Sequence, residues 1–221
     1  MFPGPPLLLD NTIVSQVEIR AICSLGIRER HSMPMPMDLE QEKLRDIAAA
    51  EQFSFNTEEF ENHMNQNDGV MVVLRAQLYL EHVLIATLTD ALKNPEAVNL
   101  KRLNFPAKFN LCIAMGLVGE ELRNAATKIN GMRNGAAHKL DVEFSSEVKA
   151  GLWTSFPQFL KGHLLAEFKS NEGHSDRLTL GQMFYGFVLF VDIVRQKNQI
   201  ARIATSYSEK YLRRVLDKKS P

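Results

Sequence analysis

The chain has 221 residues, 45% of them hydrophobic, and 26 Lys and Arg balance 26 Asp and Glu to a formal net charge of zero. That length and apolar content support one large domain with a real core. Zero net charge excludes a bulk electrostatic attraction to nucleic acid or to a membrane surface, and no run of about eighteen uninterrupted apolar residues announces a membrane span.

Pro3, Gly4, Pro5 and Pro6 keep the first dozen residues out of regular helix. Leu7, Leu8 and Leu9 are too few for a signal peptide and Asp10 ends them, so a cytoplasmic location is expected. Ile13, Val14, Val17, Ala21 and Ile22 recur at helical spacing and predict a short helix from about Thr12 to Leu25. Met33-Pro34-Met35-Pro36-Met37 reads as an extended linker whose methionines suit docking on an apolar surface. Residues 1–37 are therefore an N-terminal extension and linker, and residues 38–221 a single helical domain.

Asp38 is the expected N-cap of a helix running to about Gln52, and Asn56 that of a short acidic helix to about Asn65. Gly69 opens a helix from about Val70 to Lys93, apolar around most of its circumference as a central helix should be, and Pro95 ends it. Phe105 to Val118 is a second apolar helix with Pro106 in its first turn and Gly116 and Gly119 at its end or at a close contact. Glu120 to about Lys139 is a third, with Leu122, Ala125, Ala126, Ile129 and Met132 inward. Ser145 or Ser146 caps the next helix, through Trp153, and Pro157 interrupts that segment before Phe168. Residues 170–175 form a polar loop, and a long helix from about Leu178 to Leu216 has an apolar first half and a basic second half. Strand signals are weak, so the fold class is all-α, a mostly antiparallel helical bundle.

Acids dominate from Asp38 to Asp68 and bases from Asp192 to the end. The expectation is two solvated faces, the alternative that the two ends of the chain meet. Cys23 and Cys112 are far apart and are read as buried free thiols in a reducing compartment. There is no glycine-rich phosphate loop and no zinc-type cysteine spacing, so neither cofactor nor metal is expected.

Met132-Arg133-Asn134-Gly135-Ala136-Ala137-His138 is where residue types look chosen for chemistry. A guanidinium presents a fork that fits a phosphate, and an imidazole exchanges protons near neutral pH. Together they suffice to cleave RNA without a metal. His138 would deprotonate a ribose 2′-hydroxyl, Arg133 would neutralise charge on the phosphoryl oxygens, and Asn134 would hold the phosphate or orient the imidazole. On an ideal helix Arg133 and His138 point about 140° apart, whereas Asn134 and His138 share a side. One copy is thus an incomplete site, which a two-fold dimer crossing two such helices would complete, with Gly135 permitting close approach.

Glu81 and His82 interrupt an apolar helix. Glu81 is costly to bury unpaired and is expected to meet Arg75 or Arg133, as a structural bridge or as a support for the catalytic arginine. His82 is read as a satisfied core or interface residue. His31, His63, His163 and His174 lack ligand spacing and are read as surface residues.

Arg133-Asn134-x-x-x-His138 resembles the Arg-polar-x(3)-His signature of the HEPN superfamily. Tyr79-Leu80-Glu81-His82-Val83-Leu84 and the segment from Phe105 to Leu117 resemble two motifs of its mannitol operon repressor-like branch. The resemblance spans about Val70 to Leu140. It implies an α-helical bundle, a homodimer joined at the motif helices and, in many members, a metal-independent endoribonuclease of toxin–antitoxin, phage-defence or RNA-processing systems. The catalytic pair would be Arg133 and His138, the substrate RNA, and a protein partner such as an antitoxin would be in keeping. Other members, the repressor-like branch included, are regulators or scaffolds, so the alternative is a non-catalytic protein acting through protein contacts. Toxins paired with nucleotidyltransferase antitoxins carry a tyrosine two residues after the histidine. Leu140 stands there, which sets this chain apart from them, and Ala136 replaces an often bulky apolar residue.

Overall fold

A computed structural model of the chain describes residues 35–138, 144–168 and 178–217. The helix expected near residues 12–25, Cys23, His31, His174 and the polar loop at 170–175 lie outside the described residues. Among those described there are eight α-helices and no strand: α1 (Met37–Ala50), α2 (Thr57–Met64), α3 (Gly69–Ala91), α4 (Phe105–Ala114), α5 (Arg123–His138), α6 (Ser146–Ser155), α7 (Gln158–Glu167) and α8 (Leu180–Asp217).

Local chemistry sets most boundaries. The Asn56 side chain accepts from Glu59 N at 3.1 Å and caps α2, and Asp68 accepts from Val70 N and Met71 N to cap α3. Pro36, not Asp38, takes the N-cap position of α1, and Asp38 sits in the first turn, where a carboxylate suits the helix dipole. α4 stops four residues short of Val118. Gly116 adopts φ +68°, with Gly116 N donating to Ile113 O and Leu117 N to Cys112 O, both at 2.8 Å. That left-handed cap ends the helix. Thr179 and Gln182 cap α8 reciprocally, at 2.8 and 3.1 Å.

α3 is the hub, packing on α2, α4, α5 and α8. Val73, Leu80, Val83, Leu84 and Leu88 along it are fully buried. By length and composition alone α3 could also cross a membrane, with a mean hydropathy of 1.4. A core helix meets the same criterion, and 39% of that apolar stretch is buried within the bundle. Phe60 of α2 meets Tyr79 of α3 at a tilt and stacks on Tyr185 of α8, at 4.4 and 5.4 Å between centroids. Gly181 lets α8 start against the backbone carbonyl of Met64, where a Cβ would collide.

Helix directions depart from the expected bundle. Tyr79 and Tyr185 both meet Phe60, and farther along Asp90 meets Arg195, so α3 and α8 run parallel. Short loops impose antiparallel neighbours, but four helices separate α3 from α8. α1 does run antiparallel to α8: Asp38 pairs with Arg214 at 3.0 Å, Glu42 with Lys210 at 3.5 Å, and Tyr207 donates to Asp46 at 2.7 Å. The acidic and basic ends therefore meet, contrary to the expectation of two solvated faces. Arg214 holds the Asp38 carboxyl below its ordinary range. Burial, with help from Asp46, pushes the Tyr207 phenol well above its own.

One buried polar cluster ties α8 to α3 and to the α1–α2 loop. Asp192 is fully buried and accepts from Ser54 N (3.0 Å), Ser54 Oγ (2.8 Å) and Arg195 Nε (2.6 Å). Arg195 also donates to Gln52 O (2.7 Å), Gln199 (3.1 Å) and Asp90 (3.2 Å).

Two outcomes are expected. Asp192→Ala leaves a buried guanidinium short of its main partner and should cost about 3–5 kcal/mol in urea unfolding. Burial pushes the Cys112 thiol from 9.0 up to about 12. Its folded value lies above its unfolded one, so its contribution to stability is full below pH 9.0 and is lost as pH rises through about 12. Relative to Cys112→Ala, the wild type should lose up to about 1.4 kcal/mol per pH unit in that window, read from unfolding midpoints.

Candidate functional site

α5 owes its position to the apolar residues on its inner side and just before its start. Leu122, Ala125, Ala126, Ile129 and Met132 are buried, and α5 packs on α3, α4 and α6. It packs along α3, with Arg133 and Asn134 on the same cleft as Gln77 and Glu81. Between these helices and the start of α4 is a cleft of about 410 Å³. Its walls are Gln77 and Glu81 from α3, Asn104, Phe105 and Pro106 from the entry to α4, and Asn130, Arg133 and Asn134 from α5.

The cleft thus gathers three of the residues singled out in the sequence: Arg133, Asn134 and Glu81. Arg133 is half-buried, and its Nη1 donates to Asn134 Oδ1 at 3.3 Å. Among the described residues Arg133 makes no ion pair. Arg75 does not line the cleft. It is half-buried on α3 near Tyr79, whose phenol is raised by burial and by Glu59 and lowered in part by Arg75. His138 closes α5, and its side chain lies outside the described residues, as does Leu140. Ala136 is buried, so that small residue faces the core.

Glu81 does not meet an arginine. Its Oε1 pairs with Lys108 Nζ, and its Oε2 accepts from Gln77 Nε2 at 3.2 Å. Lys108 is fully buried and also donates to Leu103 O at 2.6 Å. An ammonium is compact enough to fit between α3 and α4, where a guanidinium fork would need more room. Lys108 is the residue the sequence reading missed, although its signal was there. It is a lone cation between Phe105, Phe109 and Cys112, matching Glu81 as a lone anion in α3.

The amides of Gln77, Asn104, Asn130 and Asn134 make the rest of the wall polar and uncharged. Asn104 spends its oxygen on Ala107 N, at 2.9 Å. The arrangement offers one cation without a carboxylate partner, amide groups able to donate or accept, and a proline face. Such a surface suits an anion carrying polar, flat groups.

The other histidines are accounted for by structure. His82 is exposed rather than in the core, and its Nε2 meets Ser54 O at 2.8 Å. His63 is half-buried against the Tyr79 hydroxyl at 3.0 Å, not a free surface residue. His163 is exposed. Among the described residues no three His, Cys, Asp or Glu side chains converge as metal ligands would. Comparison with known protein families, curated proteins and solved structures finds no match for this chain.

Glu81 and Lys108 should behave as a unit. Lys108→Met alone removes the counterion of the part-buried Glu81 and should lower stability by about 1–3 kcal/mol, whereas Glu81→Gln with Lys108→Met should come within about 1 kcal/mol of wild type. Urea denaturation of the two variants decides this, and equal losses would show that the pair is not coupled.

Proposed function

We propose that this protein is a metal-independent endoribonuclease of the HEPN type, working as a homodimer. The observation that carries the reading is the placing of Arg133 and Asn134 in one open cleft, where among the described residues the guanidinium has no carboxylate partner and the one carboxylate of the wall is taken by Lys108. A cation kept free in a half-buried site is suited to a phosphate oxygen. His138, one turn beyond Asn134, is assigned as the general base. It takes the ribose 2′-proton, the 2′-oxygen attacks phosphorus, and the 5′-oxygen leaves with a proton. The products carry a 2′,3′-cyclic phosphate and a 5′-hydroxyl. DNA lacks the nucleophile and would be inert.

The dimer follows from helical arithmetic, because Arg133 and His138 of one copy diverge by about 140°. Gly131 and Gly135 are consistent with close approach there: beyond the helix's own backbone and adjoining residues, no heavy atom among the described residues lies within 4 Å of a Cβ built at either. A toxin–antitoxin or phage-defence setting fits an RNase of this type. A second reading is a non-catalytic regulator acting through protein contacts. It is favoured by Met71 and Leu78 of α3, seven residues apart on one side of that helix, which are 36% and 62% exposed.

The test is cleavage of single-stranded and structured RNA by the purified chain in EDTA. Cyclic-phosphate ends are expected, with rates lowered roughly 10²–10³-fold in Arg133→Ala and roughly 10²–10⁴-fold in His138→Ala. Absent cleavage, or cleavage indifferent to both substitutions, would point to the regulator instead.

A further inference from the structure

We propose that Lys108 is a positioning residue for Arg133. By acting as the counterion of Glu81 it keeps the guanidinium open to an anionic ligand. The inference rests on the reading of Arg133 as an anion-binding group.

Glu81 is the one carboxylate among the described residues of the cleft wall, and Arg133 the one cation. Opposite charges sharing a half-buried cleft attract strongly, because solvent screens them poorly. Left alone, they would be expected to pair, and the cleft would close on an internal salt bridge with no charge to offer a phosphate. The structure holds a different pairing. Glu81 Oε1 is bound by Lys108, and Oε2 by Gln77. The ammonium cannot follow Glu81 outward, because Leu103 O holds it from behind and its side chain is fully buried. Glu81, by contrast, keeps 27% of its side chain exposed towards the cleft. The carboxylate is thus tethered at both oxygens, at Oε1 by an ammonium that lies behind the cleft wall and at Oε2 by its helix neighbour Gln77. Among the described residues Arg133 is left with only the neutral amide of Asn134.

The consequence can be read on Arg133 itself, without RNA. In the full-length protein, phenylglyoxal modifies accessible guanidiniums, and mass spectrometry of the peptide containing Arg133 follows its rate. In wild type Arg133 should react freely. In Lys108→Met the released Glu81 should pair with Arg133 and slow modification about tenfold, the size expected of one charge-assisted bond. In Glu81→Gln with Lys108→Met the rate should return to wild type. A merely structural role for Lys108 predicts no protection in folded protein and no rescue specific to Glu81. Should Lys108→Met fail to fold by circular dichroism, Gln77→Leu, which frees Oε2 alone, should give a smaller protection of the same sign, again removed by Glu81→Gln. Equal Arg133 reactivity in wild type and in the folded variants overturns the proposal. That result would leave the ribonuclease reading standing, since that reading falls only on the cleavage assay with Arg133→Ala and His138→Ala.

Discussion

The bundle depends on Arg195. A single guanidinium reaches Asp192 on its own helix, Asp90 on α3 and the carbonyl of Gln52 in the loop between α1 and α2. α3 and α8 are parallel and distant in sequence, so no short connection holds them in register. Apolar packing alone tolerates sliding, because its energy scales with area and has little direction. A forked cation bound at fixed angles to two carboxylates and a carbonyl does not. The ion cluster therefore fixes how α8 sits on α3, and α3 in turn carries the cleft wall. Its benefit is geometric: burying such charges contributes little net stability, but breaking one partner is costly.

A second, part-buried ion pair, Lys108 with Glu81, plays a different part near the middle of α3. Around Arg195 every charged group is spent on another protein group. Around Lys108 the sum is left uneven, with two cations, Lys108 and Arg133, set against one carboxylate. The surplus falls on Arg133, at the open side. Burial decides which cation is matched. Lys108 has no access to water and must be paired, whereas Arg133 can be solvated until a ligand arrives. The difference in depth between α4 and α5 is thus enough to leave one guanidinium available.

Much of this was legible in the chain. The all-helical class, the capping roles of Asn56 and the turn at Gly116 follow from side-chain chemistry that acts over a few residues. The gathering of Arg133, Asn134 and Glu81 was foreshadowed by their place as polar exceptions in apolar helices. The partner of Glu81 was not, because partner choice depends on which helices become neighbours and how deep each lies. Lys108 and Arg133 were equally eligible by charge. The parallel run of α3 and α8 was hidden for a similar reason, since loop length informs only on sequential neighbours. The meeting of the acidic and basic ends was visible as a pattern, but its choice over two solvated faces needed the antiparallel seating of α1 on α8.

Gly131 and Gly135 are left over once the packing of one chain is explained. Each costs about 1 kcal/mol of helix propensity relative to alanine. In α8, by contrast, both glycines have an intrachain reason: Gly181 admits the Met64 carbonyl, and Gly186 lies against Leu164. At 131 and 135 a Cβ would meet nothing among the described residues beyond its own helix. The two are four residues apart and therefore share one side of α5, a helix otherwise positioned by its alanines. If that side met only water, alanine would serve better at both positions. The preference for glycine on the helix that carries Arg133 is what a close crossing of two copies would require, and in the dimer proposed above it would set the separation of the two clefts. The same substitution therefore means different things along this chain: alanine at 181 collides within one molecule, whereas at 135 it would be felt only between two.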